Sequence, residues 1–409
     1  MRIALLTPAP PYPPHQGAAL RNLALLRALA GAHEIWLFTL GTSVDTTLRA
    51  LCTEVSMAPP PAPRSAWRRA LATLRGPLPD LAQRQYQPAL ATALRKALAS
   101  EHFDAVQIEG LEMAAHWLVA RRRLAAWPWA VYDAHNAEHV LQARAAAVER
   151  GTPTRWPAAV YSHLQARKLR RYERVVRLAC DLTLAVGEPD RAALAALAPE
   201  SPVELLPNGV DVASYHPAAL RAQGDVGAAP RLLFFGTLDY RPNVDAARWL
   251  VQEIWPPVRA AFPGARCTIV GARPTNAVYA LGRRPGVLVL GDVPDVRPHL
   301  AQADVVVVPL RFGSGSRLKV LEALAAGRPV VSTPLGCEGL AVRDGRHVLL
   351  AEDSAAFVAA VRRLCQNERL RQALARVGRQ VVEERYDWAQ ITPRLLALYA
   401  ERSRTAAAS

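Results

Sequence analysis

The sequence predicts an α/β chain built from two doubly wound domains, each a parallel sheet wrapped by helices. Three observations carry that prediction. Apolar runs of strand length alternate with longer amphipathic stretches along the chain, the pattern of a parallel sheet with crossover helices. The pattern runs through twice, broken at AALRAQGDVGAAP (218–230), which is rich in Ala and Gly and lacks a core face. Four consecutive valines at 305–308 suit a strand buried on both faces. With 409 residues the chain is long enough for two separate cores.

In the first half, strands are predicted at 3–7, 34–40, 105–108, 130–132, 182–186 and 203–206. The first ends in a loop, 8–16, followed by Gly17 and a helix starting near Ala18. APPPAPR (58–64) is a proline-rich break. After it, Trp67, Ala70, Leu71 and Leu74 form an apolar stripe flanked by Arg68, Arg69 and Arg75. A basic amphipathic helix of this kind either lies on an anionic membrane surface or packs on its own domain. The stretch 156–177, with Arg167, Lys168, Arg170, Arg171 and Arg174, reads as a long solvated helix. In the second half, strands are predicted at 231–235, 267–270, 287–290, 305–308 and 329–332. The expected division is 1–217, a linker at 218–230, 231–385, and a closing helix at 386–409. Two facing domains of this type hold a ligand at the carboxyl ends of their strands.

The most informative segment is RFGSGSRLKVLEALAAGRPVVSTPLGCEGL (311–340). It reads as a strand end, a glycine loop, a helix and a second buried strand. Gly313 and Gly315 permit a tight turn, and Ser314 or Ser316 can cap the helix. Free N–H groups at such a junction favour an anion. Lys319 and Glu322, three residues apart, share a helical face. Together they pair a cation for phosphate with a carboxylate for sugar hydroxyls. The bland alternative is a surface ion pair on a sharp connection. Lysine, however, occurs only at 96, 168 and 319 in an arginine-rich chain, so a lysine kept here points to a compact charge being required.

Composition narrows the classes. No apolar run reaches the ~18 residues of a membrane span, and the first residues lack a signal-peptide pattern, so a cytoplasmic protein is expected. Five scattered cysteines without a CxxC read as buried, reduced thiols. The net charge of +15 invites nucleic acid, but the arginines are dispersed and no nucleic-acid signature accompanies them. Anionic lipid headgroups or a phosphate-bearing acceptor suit that charge equally well. DAHNAEH (133–139) contains H-x-x-E-H, a zinc-hydrolase spacing. Zinc would need both histidines on one helix and a further ligand, whereas His135 is predicted to precede the helix. A dinucleotide fingerprint is absent after the first strand, and so is an Asp-x-Asp triplet.

Several motifs together resemble the GT-B-fold retaining glycosyltransferases of family 4, also called group 1, in a bacterial polysaccharide-type subgroup. They are PYPPHQGAALRN, DAHNAEH, PNGVD (207–211), FFGTLDYRPNVDA from Phe234, GSGSRLKVLEALAAGRPVVST and RYDWAQ from Arg385. The resemblance implies two Rossmann-like domains, and transfer from a nucleotide diphosphate sugar to a hydroxyl of a glycan or lipid-linked acceptor. No cofactor or metal is expected. It implies donor contacts at Gly17 and Ala18, where the family's second glycine is replaced, and at Gly236, Arg241, Gly313, Ser314, Gly315 and Ser316. It further implies a sugar-contacting, charge-stabilising role for His135, diphosphate neutralisation by Arg317 and Lys319, and ribose binding by Glu322. Two departures stand out. The first carboxylate of the family's Glu-x7-Glu pattern is Ser314 here, and two positions that many relatives fill with Arg and Lys are Thr237 and Asn243. A nucleotide-sugar epimerase or a non-catalytic nucleotide-sugar-binding module are the alternatives. PNGVD is expected at the hinge, and the last helix is expected to return to the first domain. Peripheral contact with anionic membrane at the inner face of the plasma membrane remains open, and no nucleic acid partner is expected.

Overall fold

The computed structural model describes residues 1–14, 17–124, 126–150, 156–215, 229–313 and 317–408. Ser314, Gly315 and Ser316, and the linker apart from its last two residues, therefore lie outside the described residues. The chain divides into two compact units, Met1–Asn208 with Ile391–Ser409, and Gly209–Gly313 with Arg317–Gln390. The division thus falls between Asn208 and Gly209.

Among the described residues the first unit holds seven parallel strands: β1 (Arg2–Thr7), β2 (Glu34–Leu40), β3 (Glu54–Ala58), β4 (Ala105–Glu109), β5 (Trp129–Ala134), β6 (Leu182–Ala185) and β7 (Val203–Leu205). Their order is β3-β2-β1-β4-β5-β6-β7, a doubly wound sheet with its reversal between β1 and β4. The central strands are buried almost throughout, which explains their continuous apolar reading. β3 escaped the sequence prediction because it is an edge strand pairing only with β2. Its EVSMA sequence is largely unburied and shows no apolar run.

The second unit holds β8 (Arg231–Phe235), β9 (Arg266–Gly271), β10 (Val287–Gly291), β11 (Val305–Val308), β12 (Val330–Ser332) and β13 (Leu349–Leu350). All pairings are parallel, in the order β10-β9-β8-β11-β12-β13. The four valines of β11 are fully buried. β13 was missed because two residues on an edge carry no periodicity.

Two basic helices pack on the first unit. In Ala66–Arg75, Trp67 and Leu74 are 64% and 74% exposed. The helix packs on its own unit through polar groups. Thr73 accepts from Gln165, Lys168 reaches the Thr73 and Gly76 carbonyls, and Arg69 pairs with Asp80. Helix Trp156–Leu178 is not solvated throughout, since it buries Leu169, Tyr172, Glu173, Val176 and Arg177. Arg177 donates to the Leu194, Ala198 and Ser201 carbonyls, so part of the basic character of this helix serves packing. Among the described residues no helix is long and apolar enough to cross a membrane. All five cysteines are buried and free.

Candidate active site

Among the described residues, each unit gathers candidate functional side chains at the carboxyl ends of its strands. In the second unit, β8 runs into Gly236, whose φ of +147° suits glycine alone. A Cβ there would lie 3.0 Å from Asn243 Nδ2 and 3.2 Å from Lys319 Nζ. Lys319 stands on helix Leu318–Ala325, which follows β11 and packs through Val320, Leu321, Leu324 and Ala325. Its ammonium donates to Asn243 Oδ1 at 2.6 Å and lies 4.9 Å from the centre of the Phe234 ring. Asn243 is fixed by donating its Nδ2 to Thr237 O at 2.8 Å. Thr237 and Asn243 thus form the support of Lys319, at the positions where the resemblance led to added cations.

Burial pushes the Lys319 ammonium down to about 7, the nearby Arg317 charge adds to the effect, and Glu322 opposes it. Glu322 accepts from Tyr215 Oη at 2.9 Å. Burial pushes its carboxyl up to about 7 against the Tyr215 hydrogen bond and the Lys319 charge. Arg317 occupies the cap position of the helix, where a serine was expected. Its Nη2 meets Glu338 Oε2 at 3.3 Å, and its buried Nε has no partner among the described residues. Burial lowers its pKa. Gly313, with φ +120°, turns against Pro242. Arg241, in the first turn of helix Arg241–Trp249, lies over Phe312 at 5.5 Å.

In the first unit, helix Gly17–Ala30 starts at Gly17, with Ala18 in its first turn. Its Arg21 is 1% exposed and binds Asp133 of β5 in a bidentate pair, Nε to Oδ2 and Nη2 to Oδ1, both at 2.7 Å. The same guanidinium donates to Pro207 O and Asn208 Oδ1. His135 lies between β5 and helix Glu138–Arg150, as expected. Its Nε2 is 3.2 Å from Glu109 Oε2 and 3.7 Å from Asp133 Oδ2. Burial alone would lower the His135 pKa, but the Glu109 hydrogen bond and the charges of Asp133, Glu109 and Glu112 raise it. Burial and the Asp133 charge push Glu109 up to about 7. Burial would raise Asp133 too, but Arg21 holds it below the usual range.

The H-x-x-E-H pattern is not assembled. His139 Nδ1 binds Glu173 at 2.5 Å, while His135 faces Glu109 and Asp133. Glu109, Asp133 and His135 do place one ligand atom each within 4.8 Å of one another. Both Asp133 oxygens already accept from Arg21, so a cation there would sit against a guanidinium. Arg21, Glu109 and Asp133 were missed as site residues. The available signal was a charged residue in the last two positions of each of two apolar strands, since such residues are seldom fully buried without a partner.

Two parallel sheets of this order, each with its cluster at the carboxyl ends, define the GT-B class of two Rossmann-like domains. Solved structures agree: a sucrose-phosphate synthase from Thermosynechococcus elongatus matches over the full length of both chains, with TM-score 0.74 and 17% identity. Anabaena HepE in complex with UDP and glucose matches over 98% of this chain and 99% of its own, with TM-score 0.62 and 16% identity. The model for Glycosyltransferase Family 4 matches residues 15–214, and that for Glycosyl transferases group 1 matches 229–367. The chain belongs to this family, glycosyltransferase family 4. Among curated relatives, a phosphatidyl-myo-inositol mannosyltransferase of Mycobacterium leprae is 31% identical over 204 residues, 47% of this chain and 52% of the relative. A glycogen synthase of Mycobacterium tuberculosis is 31% identical over 216 residues, 49% of each. The chain thus spans about half the length of the curated relatives it matches.

Proposed function

We propose that this chain is a metal-independent retaining glycosyltransferase. It moves a sugar from a nucleotide diphosphate sugar to a hydroxyl of a glycan or lipid-linked acceptor, in surface polysaccharide biosynthesis. The observation that carries the reading is the Lys319 ammonium. It is poised beside Gly236 on the neutral oxygen of Asn243, with the buried Arg317 Nε unpartnered among the described residues. Cationic donors aimed at a departing diphosphate stabilise the charge that develops as the anomeric C–O bond breaks. Glu322, held by Tyr215, suits the ribose hydroxyls. His135, backed by two carboxylates, suits a sugar hydroxyl beside an oxocarbenium-like centre. The acceptor oxygen bonds to the anomeric carbon on the face the diphosphate leaves, and its proton passes to a diphosphate oxygen.

The test is calorimetric titration with UDP, GDP, ADP and dTDP in chelator, followed by transfer assays with the nucleotide sugar of whichever base binds. Binding of one nucleotide without metal is expected, with kcat/KM lowered about 10²-fold or more in Lys319→Ala. No binding by any nucleotide, or unchanged turnover in a folded Lys319→Ala variant, overturns the proposal. Conversion of the donor without acceptor would favour an epimerase instead.

A further inference from the structure

A hydrogen-bonded chain of buried side chains runs behind His135. Tyr399, on the closing helix Trp388–Ala408, donates its hydroxyl to Gln107 Oε1 of β4. Gln107 Nε2 donates to Glu109 Oε1, and Glu109 Oε2 faces His135 Nε2 at 3.2 Å. Tyr399, Gln107 and Glu109 are fully buried. The Asn22 amide, oriented to satisfy its neighbours, places its nitrogen 3.0 Å from Glu109 Oε2, 3.0 Å from Ala18 O and 3.3 Å from His135 Nε2. Its two N–H groups go to the two nearer oxygens, which leaves Nε2 to Glu109. Each Glu109 oxygen therefore receives fixed donors, and Asp133 is neutralised separately by Arg21.

We propose that Glu109 is the positioning residue of His135, and that Tyr399 acts on that histidine through Gln107 and Glu109. The inference rests on the reading of His135 as a sugar-contacting residue. Gln107 is the directional link: its amide oxygen is taken by Tyr399, so only its N–H face is turned to Glu109. Glu109 then presents an acceptor to Nε2, which fixes the tautomer of His135 with its proton on Nε2. Nδ1 is left for the substrate. The imidazolium is favoured by Glu109, Asp133 and Glu112 on this side; Glu138, at the head of the following helix, is pushed up to about 8 by burial and adds its charge only in alkaline solution. Arg21, which neutralises Asp133, opposes it. A carboxylate that orients and charges a histidine without touching substrate acts as outer partners of functional histidines commonly do.

The test uses the full chain with Glu109→Gln, Glu109→Asp and Tyr399→Phe, read by NMR titration of the labelled His135 ring and by steady-state kinetics. In Glu109→Gln the His135 midpoint is expected to move to lower pH and kcat to fall about tenfold or more. KM for the donor should change less than twofold. Glu109→Asp is expected to recover part of the midpoint, and Tyr399→Phe to shift it in the same direction by less. An unmoved His135 midpoint in both Glu109→Gln and Tyr399→Phe, with both variants folded, overturns the proposal. The ring titration needs no turnover, so it stands apart from a failure of the transferase reading, which would appear as absent nucleotide binding in the wild type.

Discussion

Nucleoside diphosphate binding should take up a proton in mildly alkaline solution, and Lys319 should be the group that accepts it. The perturbation is pH between 8 and 9.5. With Lys319 pushed down to about 7, only about one-tenth of the free protein carries this charge at pH 8. A diphosphate beside Nζ favours the ammonium and returns its pKa toward the ordinary lysine range. Each molecule bound at pH 8 should then take up close to one proton. Glu322, at about 7, is already ionised there, and so is a terminal phosphate with a second pKa near 6. Neither opposes the effect in this window. The dissociation constant should rise about tenfold per pH unit, or roughly 1.4 kcal/mol. The assay is calorimetry in buffers of different ionisation enthalpy, where the slope of observed enthalpy gives the protons taken up. Lys319→Arg is the control, because a guanidinium stays charged throughout and its binding should be flat with pH. Equal pH slopes in wild type and Lys319→Arg, or a buffer-independent enthalpy in the wild type, would refute the reasoning.

Two further outcomes follow from the same geometry. Arg21→Met strands the buried Asp133 charge and should destabilise the first unit by about 3–5 kcal/mol, read as a lower midpoint in denaturant unfolding. Gly236→Ala forces a side chain into a left-handed backbone and against Asn243 and Lys319. It should weaken nucleotide binding about tenfold or more through lost positioning, with KM and kcat measured separately to locate the loss.

The sequence carried the fold well and the site unevenly, for physical reasons. Doubly buried strands such as β11 advertise themselves as apolar runs, whereas the edge strands β3 and β13 have too little buried surface to show a pattern. Lys319 and Glu322 were legible because helical spacing sets them on one face. His135 was legible as a loop residue because the aromatic and apolar β5 precedes it. What local sequence does not encode is partnership over long separations. Arg21 meets Asp133 across 112 positions, and Tyr399 meets Gln107 across 292. Asn243 illustrates the same limit: read alone it marked a missing cation, but beside Lys319 it is the support of the cation that remains.

That support bears on why the chain keeps a lysine in an arginine-rich background. A carboxylate partner would hold Nζ charged at all times, and an incoming diphosphate would have to displace it. Asn243 offers only a neutral oxygen, fixed by its own bond to Thr237 O. The charge on Lys319 is then limited by burial and by Arg317, and it rises when an anion arrives. An arginine at 319 would remain charged beside Arg317 in the unliganded site, with only Glu338 on Arg317 and the nearby Glu322 to offset the repulsion. On the proposed donor reading, lysine on a neutral acceptor reserves its full attraction for the diphosphate, and the proton taken up on binding is the measurable sign of that arrangement.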